Sequence, residues 1–503
     1  MHPIEHARRT LQRSFMEDRR MRTHRLSTQL TPVVRALLVW IALLVSSTSS
    51  ATHVSSGHIY DEQGNRITIQ GVNWFGAETD TRVVHGLWAR SMTDMLDQMK
   101  SIGFNAVRIP FCPATLQSVP TNSIDYSKNA ALQGLNSLQV LDVLAGELQK
   151  RGMYFLMDHH RPDCNAISPL WYINGYTEAQ WIADLKFVAG RYKDYQYFLG
   201  MDLKNEPYGA ARWGSGNAAV DWNAAAERAA AAVLSVAPQA LIFVEGVGDG
   251  SYCTTVNSGI WWGGNVNPQM CAPLNIPADR LVLSPHVYGP DVFNQSYFSA
   301  AEFPANMPAI WNSHFGDVQK QGYAVVLGET GGKYGAGNPK DKTFQDALFA
   351  YLKPRDLRDV FYWSWNPNSG DTGGILNDDW TTVRQDKVAL LQSFWAGAPN
   401  PPATTTPAPV PTIPAPAPTT PAPTPATPAP APATPAPATP APVSATPTDP
   451  GTSTSPTPIA AMSGRSGGGG SLDVLLLICM ALGTARRWLS DLLPREPGEG
   501  IRF

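Results

Sequence analysis

The sequence has no excess of basic residues, few charged residues and no metal-binding histidine motif in its globular part. Its 503 residues contain 38 Lys and Arg against 41 Asp and Glu, so the chain lacks the basic excess of a nucleic-acid-binding protein. Charged residues make up 16% of the chain, where an average soluble domain has roughly 25%. The globular part has no His-x-x-x-His spacing of the kind that holds a metal. These absences predict a protein that binds neither nucleic acid nor a catalytic metal.

The 44 prolines are unevenly distributed, because about half of them lie in residues 399–458. This stretch repeats Pro, Ala and Thr and has no charged side chain before Asp449. Such a composition cannot bury a core and favours an extended polyproline II spacer. We therefore predict a linker over residues 398–465. The residues before it, 52–397, are long enough to form one large domain with a sizeable core.

The N-terminal residues 1–51 have the pattern of a secretory signal peptide. An arginine-rich segment ending at Arg35 precedes the apolar run 36–45, and the small residues Ser49, Ser50 and Ala51 form a cleavage site of the expected kind. The run is too short to span a bilayer comfortably. We predict export, to the medium or the cell surface, with an uncleaved membrane anchor as the alternative.

The C-terminal residues 466–503 form a three-part tail. Glycines at 467–470 are followed by an apolar segment over residues 472–482 and then by Arg486 and Arg487. This order resembles bacterial C-terminal sorting signals of the glycine-rich kind. The resemblance implies a transient membrane tether, and the alternative is a tail without function.

Between these ends, eight short apolar runs alternate with helical patterns. Ser91 with Asp94 and Thr177 with Gln180 have the spacing of capping boxes, and the alanine-rich residues 222–236 favour a helix. Eight strand–helix units predict an α/β fold, a single (β/α)8 TIM barrel. A doubly wound open sheet is the alternative, but no glycine-rich phosphate turn follows the first run. The runs cover residues 67–74, 105–111, 154–160, 198–206, 241–246, 281–288, 324–329 and 360–365.

Polar and aromatic side chains cluster where these runs end. In a TIM barrel the ends meet at the carboxyl-terminal face of the strands, where active sites are built. Packing explains one such residue but not a set of them at one face. The set comprises Arg108, His160, Asn205 with Glu206, His286 with Tyr288, Glu329 and Trp363.

Two acids of this set suit glycosidic cleavage. Glu206 and Glu329 lie on the fourth and seventh runs, and cleavage needs one acid to protonate the leaving oxygen and one carboxylate to attack the anomeric carbon. Donation from Arg108 and Tyr288 would keep Glu329 ionised as the nucleophile, which leaves Glu206 as the protonated acid. A separation of roughly 5–5.5 Å would give retention of configuration, but the sequence does not supply that distance.

Other residues at this face suit the binding of a sugar. Asn205 is placed to bond a 2-hydroxyl group, and Trp363 offers a ring face to the sugar being cleaved. Trp74 and Trp262 are candidate platforms for the neighbouring sugars. Glu245 ends the fifth run and is an alternative acid, but the sequence shows no comparable partners for it.

The motifs that hold these residues resemble those of the endoglucanases of glycoside hydrolase family 5, the bacterial cellulases. The resemblance covers nearly the whole globular region. It implies a retaining mechanism without a cofactor, with Glu206 as the acid/base and Glu329 as the nucleophile. It also implies a supporting set of Arg108, His160, Asn205, His286, Tyr288 and Trp363. The motifs are GVNWFG (71–76), AVRIPF (106–111), DHHRPDC (158–164), DLKNEPYG (202–209), WWGGN (261–265), SPHVY (284–288), LGETG (327–331) and YWSWNPNSGDTGGIL (362–376).

The resemblance further implies a monomeric endo-β-1,4-glucanase acting on cellulose or soluble cello-oligosaccharides. Mannan, xyloglucan or mixed-linkage glucan are alternative substrates for the same mechanism. A barrel that only binds carbohydrate at the cell surface is a further alternative. Many relatives carry a cellulose-binding module after the linker, whereas this linker leads only to the predicted tail. Strong binding to crystalline cellulose is therefore not expected.

The chain has only five cysteines, four of them in the globular part. Export to an oxidising compartment predicts that these four form disulfides, and three pairings are possible. In a barrel, Cys112 and Cys164 follow the adjacent second and third strands, whereas Cys253 and Cys271 bracket one long loop after the fifth strand. We therefore expect the pairs Cys112–Cys164 and Cys253–Cys271.

Overall fold

The structure, a computed structural model, describes residues 52–248, 259–400 and 409–411. The predicted signal peptide, Cys253, most of the predicted linker and the whole predicted tail lie outside these residues. Over the described ranges, no helix is both long and apolar enough to cross a membrane.

A small antiparallel sheet begins the described chain. Its strands β1 (His53–Ser55), β2 (His58–Tyr60) and β3 (Arg66–Ile67) pair in sequence order. Ile59 and Ile67 are fully buried in a cluster with apolar residues from the strands of the main sheet. The small sheet therefore closes the end of the main sheet that lies opposite the predicted site.

The main sheet is a closed barrel of parallel strands. Its strands are β4 (Gln70–Asn73), β5 (Ala106–Phe111), β6 (Tyr154–His159), β7 (Phe198–Asp202), β8 (Leu241–Val244), β9 (Leu281–Leu283), β10 (Ala324–Val325), β11 (Leu327–Thr330) and β12 (Val360–Tyr362). They are ordered β10-β9-β8-β7-β6-β5-β4-β12-β11. Only Val326 separates β10 from β11, so these two form one interrupted strand and the sheet closes on itself. The predicted TIM barrel is confirmed, and each of its eight strand positions overlaps a predicted run.

The helices lie between the strands, as a barrel requires. They are α1 (Met92–Ser101), α2 (Pro113–Leu116), α3 (Ser137–Lys150), α4 (Glu178–Tyr192), α5 (Trp222–Leu234), α6 (Met307–Trp311), α7 (Pro339–Leu352) and α8 (Gln385–Trp395). Among the described residues between β8 and β9, the one helical segment is a 3-10 turn, Asn267–Met270, instead of an α-helix. The described residues of the fifth unit therefore differ from the other units, each of which carries an α-helix.

The predicted helix starts are correct in position. Thr177 and Gln180 form a complete capping box at the start of α4. Ser91 caps α1 by accepting from the backbone N–H of Asp94, without the reciprocal bond that would complete a box. An aspartate side chain is shorter than the Glu or Gln of a capping box, and the Asp94 carboxylate instead binds Arg90.

The structure confirms the Cys112–Cys164 disulfide, which joins the segments after β5 and β6. Cys271 is also disulfide-bonded. Its predicted partner, Cys253, lies outside the described residues, so the second pairing stays a prediction.

The compact unit that contains the barrel extends to Val410, beyond the predicted boundary at residue 397. The side-chain hydroxyl of Thr68 donates to the carbonyl of Pro399, and its backbone N–H donates to the side chain of Asn400. Gln149 of α3 donates to the carbonyl of Pro409. The first residues of the predicted linker are thus hydrogen-bonded to the barrel.

Candidate active site

The carboxyl ends of the barrel strands bring the predicted polar residues together. Parallel register places Asn73 beside Arg108 and Asp158 beside Asp202. An isolated parallel β-bridge pairs His286, which follows β9, with Glu329 of β11. The predicted residues therefore share one site because their strands end at the same level of the barrel.

Glu329 is the last but one residue of β11 and is held by two donors. A guanidinium nitrogen of Arg108 lies 2.7 Å from Oε1, and the Tyr288 hydroxyl donates to Oε2 over 2.6 Å. Burial raises the pKa of Glu329, but the positive charges of His286 and Arg108 outweigh it and hold that pKa below its usual range. Glu329 is therefore an ionised carboxylate with both oxygens oriented.

Glu206 follows β7 in a left-handed backbone conformation with φ of 52°. Such a conformation is unfavourable for a residue with a side chain and marks a position held by its surroundings. Its Oε1 lies 3.1 Å from Nδ1 of His286. Burial, together with the nearby Glu329, raises the pKa of Glu206 to about 7 although His286 opposes the shift. Glu206 therefore holds a proton that it can give up near neutral pH.

The two carboxyl groups face each other across a short gap. A carboxylate oxygen of Glu206, one of Glu329 and a ring nitrogen of His286 all lie within 4.8 Å of one another. The Glu206 and Glu329 side chains keep 10% and 5% of their surface exposed, whereas Arg108 and His286 keep none. The two acids therefore reach the cleft, and their spacing is that of glycosidases that retain configuration, roughly 5–5.5 Å, and not the wider gap of inverting enzymes.

Arg108 is the centre of the buried network beneath these acids. Its guanidinium contacts four carboxylates at 2.7–3.2 Å, belonging to Asp158, Asp202, Glu245 and Glu329. Burial raises the pKa of Asp158 and of Asp202 to about 7, which Arg108 opposes. A buried cation with so many partners stays charged and fixes the floor of the site.

His160 and Trp363 form one wall of the site. Nδ1 of His160 lies 2.6 Å from Asp158, and its ring stacks on Trp363 with centroids 5.7 Å apart. Burial lowers the pKa of His160 to about 3, so the ring is neutral at ordinary pH. Phe75 stacks on Trp363 at 5.3 Å, and the indole N–H of Trp363 donates to Ser369. These contacts lock the indole ring in place.

Asn205 has one free donor in the site. Its Oδ1 accepts from Arg108 at 3.3 Å, which orients the amide. Its buried Nδ2 has no hydrogen-bond partner among the described residues. An unsatisfied buried donor is costly unless a ligand completes it. The Asn205 amide is therefore available to a polar group of a substrate.

The two predicted aromatic platforms differ in position. Trp262 is half-buried and stacks on Tyr208 with ring centroids 3.8 Å apart. Trp74 is fully buried and donates from its indole to the carbonyl of His85. The structure therefore leaves Trp74 no exposed ring face, because the loop over residues 75–90 folds over it. Trp261 packs edge-on against Tyr288 and is half-buried.

Sequence reasoning underrated Glu245, which was considered only as a weakly supported alternative acid. In the structure it faces Arg108, His286 and the backbone of Glu206. Asp158 and Asp202 were likewise not assigned to the site. The available signal was their position at strand ends, because an acid there shares the barrel mouth with Arg108 even when no motif names it.

In the part of the chain that the structure describes, two groups of side chains have metal-ligand geometry, namely Asp202, Glu245 and His286, and Glu206, His286 and Glu329. Arg108 contacts Asp202, Glu245 and Glu329, and His286 faces a carboxylate with each ring nitrogen. These cations already supply the positive charge that a metal would bring. That no metal takes part stays a prediction.

Comparison with known proteins agrees with this geometry. A family model described as Cellulase (glycosyl hydrolase family 5) matches residues 60–369. The major extracellular endoglucanase of Xanthomonas campestris pv. campestris is 60% identical over 374 residues, which cover 74% of this chain and 76% of that protein. An endoglucanase of Paenibacillus polymyxa is 46% identical over 343 residues, covering 67% of this chain and 85% of that protein.

Solved structures give the same result. The catalytic domain of the major endoglucanase of Xanthomonas campestris pv. campestris superposes with a TM-score of 0.67 at 61% identity, over 68% of this chain and 99% of that domain. An endocellulase from Pyrococcus horikoshii in complex with cellotetraose has a TM-score of 0.67 at 44% identity. The match covers 69% of this chain and 100% of the endocellulase chain. From its fold, its site and these matches, the chain belongs to glycosyl hydrolase family 5, the cellulase family.

Proposed function

We propose that this protein is a retaining endo-β-1,4-glucanase in which Glu329 is the nucleophile and Glu206 is the acid/base. The observation that carries the proposal is the pair of facing carboxyls within 4.8 Å whose pKa values are shifted in opposite directions. Two acids in such different environments suit two different roles. The names of the similar endoglucanases and the cellotetraose bound by the Pyrococcus protein support β-1,4-glucan as the substrate class.

In the first step a carboxylate oxygen of Glu329 attacks the anomeric carbon, and the bond from that carbon to the leaving oxygen breaks. Glu206 gives its proton to the leaving oxygen, so the departing sugar leaves as an alcohol. The product is a glycosyl ester on Glu329 and an ionised Glu206. Arg108 and Tyr288 hold Glu329 in its ionised form until it reacts.

In the second step water attacks the same carbon from the face that the first sugar left. Glu206 takes a proton from this water, and the ester bond to Glu329 breaks to restore the carboxylate. His286 lies 3.1 Å from Glu206 and 3.6 Å from Glu329, so its charge acts on both acids throughout. Two inversions at one carbon retain the configuration.

The supporting residues bind and orient the sugar. The free Nδ2 of Asn205 donates to the 2-hydroxyl of the sugar being cleaved, a contact that strengthens in the transition state. Trp363 borders this sugar from the side of β12. The stacked pair of Trp262 and Tyr208 supplies an aromatic surface farther along the cleft, where a neighbouring sugar ring packs.

The proposal also covers the segments before and after the catalytic domain. Residues 1–51 act as the export signal, and residues 398–465, beyond the part that bonds to the barrel, act as a spacer. The tail over residues 466–503 tethers the protein transiently to the membrane before release. The enzyme works as a monomer, without nucleic acid or cofactor, at the cell surface or in the medium. The name of the extracellular Xanthomonas relative supports this location.

The test compares hydrolysis of cellopentaose and mannopentaose by the wild-type protein and by Glu329→Gln. Rapid cleavage of cellopentaose, lost in the variant, is expected. Faster cleavage of mannopentaose would keep the mechanism but replace the substrate. No cleavage of either sugar by the folded protein would contradict the cellulase proposal and leave branched glucans or carbohydrate binding alone to be tested.

A further inference from the structure

Glu245 is a fully buried carboxylate near the two acids, and neither step above uses it. It follows β8 and has no exposed surface. Its Oε2 accepts from the backbone N–H of Glu206 over 2.7 Å. Its Oε1 lies 3.0 Å from Nε2 of His286 and 3.2 Å from Nη2 of Arg108. Since no part of Glu245 reaches the cleft, it acts only through these neighbours.

The chain around Glu245 is shaped to hold this carboxylate. Gly263 has a φ of 67°, and a Cβ at that position would lie 2.1 Å from Oε2 of Glu245. The carbonyl of Gly263 accepts from Gly246, and the carbonyl of Glu245 accepts from the indole of Trp222. The first glycine of WWGGN, Gly263, is thus required beside Glu245, and three segments of chain fix the position of one carboxylate.

His286 connects Glu245 to the reacting groups. Its Nε2 faces Glu245, and its Nδ1 faces Glu206 at 3.1 Å and Glu329 at 3.6 Å. The Nε2 contact with Glu245 is an ion pair without hydrogen-bond geometry, whereas Nδ1 is hydrogen-bonded to Glu206. A ring with a carboxylate oxygen close to each nitrogen favours the doubly protonated, charged form. Burial lowers the pKa of His286, but the charges of Glu245 and Glu329 raise it well above its ordinary value.

We propose that Glu245 is a positioning residue that keeps His286 doubly protonated, so that Nδ1 donates to Glu206 and the ring's positive charge acts on both Glu206 and Glu329. By accepting from the backbone of Glu206, the same carboxylate also holds that residue in its left-handed conformation. The inference deepens the proposed function and rests on it for the roles of the two acids.

The direction of the effect follows from distance. The charged and titratable groups that face Glu245 are Arg108 on β5, Asp202 on β7, Lys204 and Glu206 after β7, and His286 after β9. Without Glu245, the pKa of His286 falls, because the charge that raises it most is gone, and we expect the neutral ring to be populated. The ring lies 3.1 Å from Glu206 and 3.6 Å from Glu329, so loss of its positive charge acts on both carboxyls at short range. The pKa values of both acids then rise.

The experiment measures kcat/KM against pH for Glu245→Gln on cellopentaose. Both limbs of the profile are expected to move to higher pH by about 1 unit, since each acid loses the positive charge of the nearby imidazolium. The matched control is Asp359→Asn, because Asp359 is also buried and also accepts a backbone N–H, that of Ile69. Asp359 lies before β12 at the opposite end of the barrel, so its variant should keep the wild-type profile. A Glu245→Gln profile that falls evenly at every pH would overturn the proposal.

A second measurement does not depend on substrate. In protein labelled with 15N-histidine, the ring-nitrogen shifts of His286 are expected to be those of an imidazolium at pH 7 in the wild type and of a neutral ring in Glu245→Gln. The same protonation in both proteins would overturn the inference. Failure of the wild type to cleave glucan would instead contradict the proposed function, and the ring-nitrogen measurement would still decide what Glu245 does.

Discussion

A carboxylate oxygen of Glu206 and one of Glu329 lie within 4.8 Å of each other, although the two residues come from separate strands of the barrel. Inverting glycosidases, which place a water molecule between the sugar and the base, hold their carboxyl groups roughly 6.5–9.5 Å apart. Burial and Glu329 raise the pKa of Glu206 to about 7, whereas His286 and Arg108 overcome the effect of burial and lower the pKa of Glu329. Distance and charge therefore point to the same division of roles.

Replacing Glu329 with Gln removes the attacking oxygen without changing the size of the side chain. We expect hydrolysis of cellopentaose to fall by on the order of 10⁴-fold with the thermal midpoint almost unchanged, since the covalent step is lost. Glu302→Gln, the same change at an exposed position, is the control and should retain full activity. Activity of Glu329→Gln within tenfold of wild type would exclude Glu329 as the nucleophile.

Replacing Glu206 with Ala removes the acid/base but leaves the nucleophile. On an aryl cellobioside with a good leaving group, the first step proceeds without an acid and the glycosyl ester accumulates, because no base activates water. Sodium azide needs no base and fits the vacated space, so it should restore turnover at least tenfold and yield a β-glycosyl azide. The readout is the anomeric configuration of the azide, and an α-product would assign the nucleophile's role to Glu206.

The pH profile of kcat/KM should be bell-shaped. Activity rises as Glu329 ionises through its lowered pKa and falls as Glu206 loses its proton near pH 7. Tyr288→Phe removes a donor to the ionised form of Glu329, which raises the pKa of that acid. The acidic limb should therefore move to higher pH while the basic limb stays in place.

The control for this shift is Tyr172→Phe, which loses only a hydroxyl bond to the carbonyl of Ala219. Its profile should match that of the wild type. A Tyr288→Phe profile whose basic limb moves, with the acidic limb fixed, would mean that Glu329 is not the group ionising at low pH.

Removing the Cys112–Cys164 disulfide should destabilise the domain without altering its site. The bond spans 52 residues of sequence, and chain entropy for a loop of that size gives a loss of about 4 kcal/mol on replacing both cysteines with Ser. Urea unfolding measures this loss, and kcat/KM at low temperature should remain within a factor of three. Wild-type protein treated with reductant provides the comparison, and equal midpoints before and after reduction would contradict the expectation.

Much of the barrel was predictable because its strands are short, apolar and evenly spaced, and because polar residues follow them. Arg108, Glu206, His286, Tyr288 and Glu329 all meet at the mouth, as their positions at strand ends require. The number of helices was harder to predict from the sequence. Between β8 and β9 the described residues contain a 3-10 turn, and a loop rich in turn residues and aromatics has no hydrophobic periodicity that predicts its conformation.

Two site residues show where sequence reasoning stops. Trp74 was expected to offer a ring face, but a loop folds over it and its indole serves the carbonyl of His85. Glu245 had no visible partners, because its partners come from three other strands. The contacts of Glu245 join residues far apart in the chain, and the burial of Trp74 depends on how the loop after it folds, so a pattern of residue types records neither.

The sequence by itself determined the strand positions, the family and most of the residues at the barrel mouth, because these depend on local hydrophobic pattern and on recognisable motifs. Only the tertiary structure decided the short distance between Glu206 and Glu329 and the burial that separates their pKa values. It also decided the enclosure of Glu245 between His286, Arg108 and Gly263. Distance, desolvation and charge pairing arise when strands close into a barrel, so they belong to the fold as a whole.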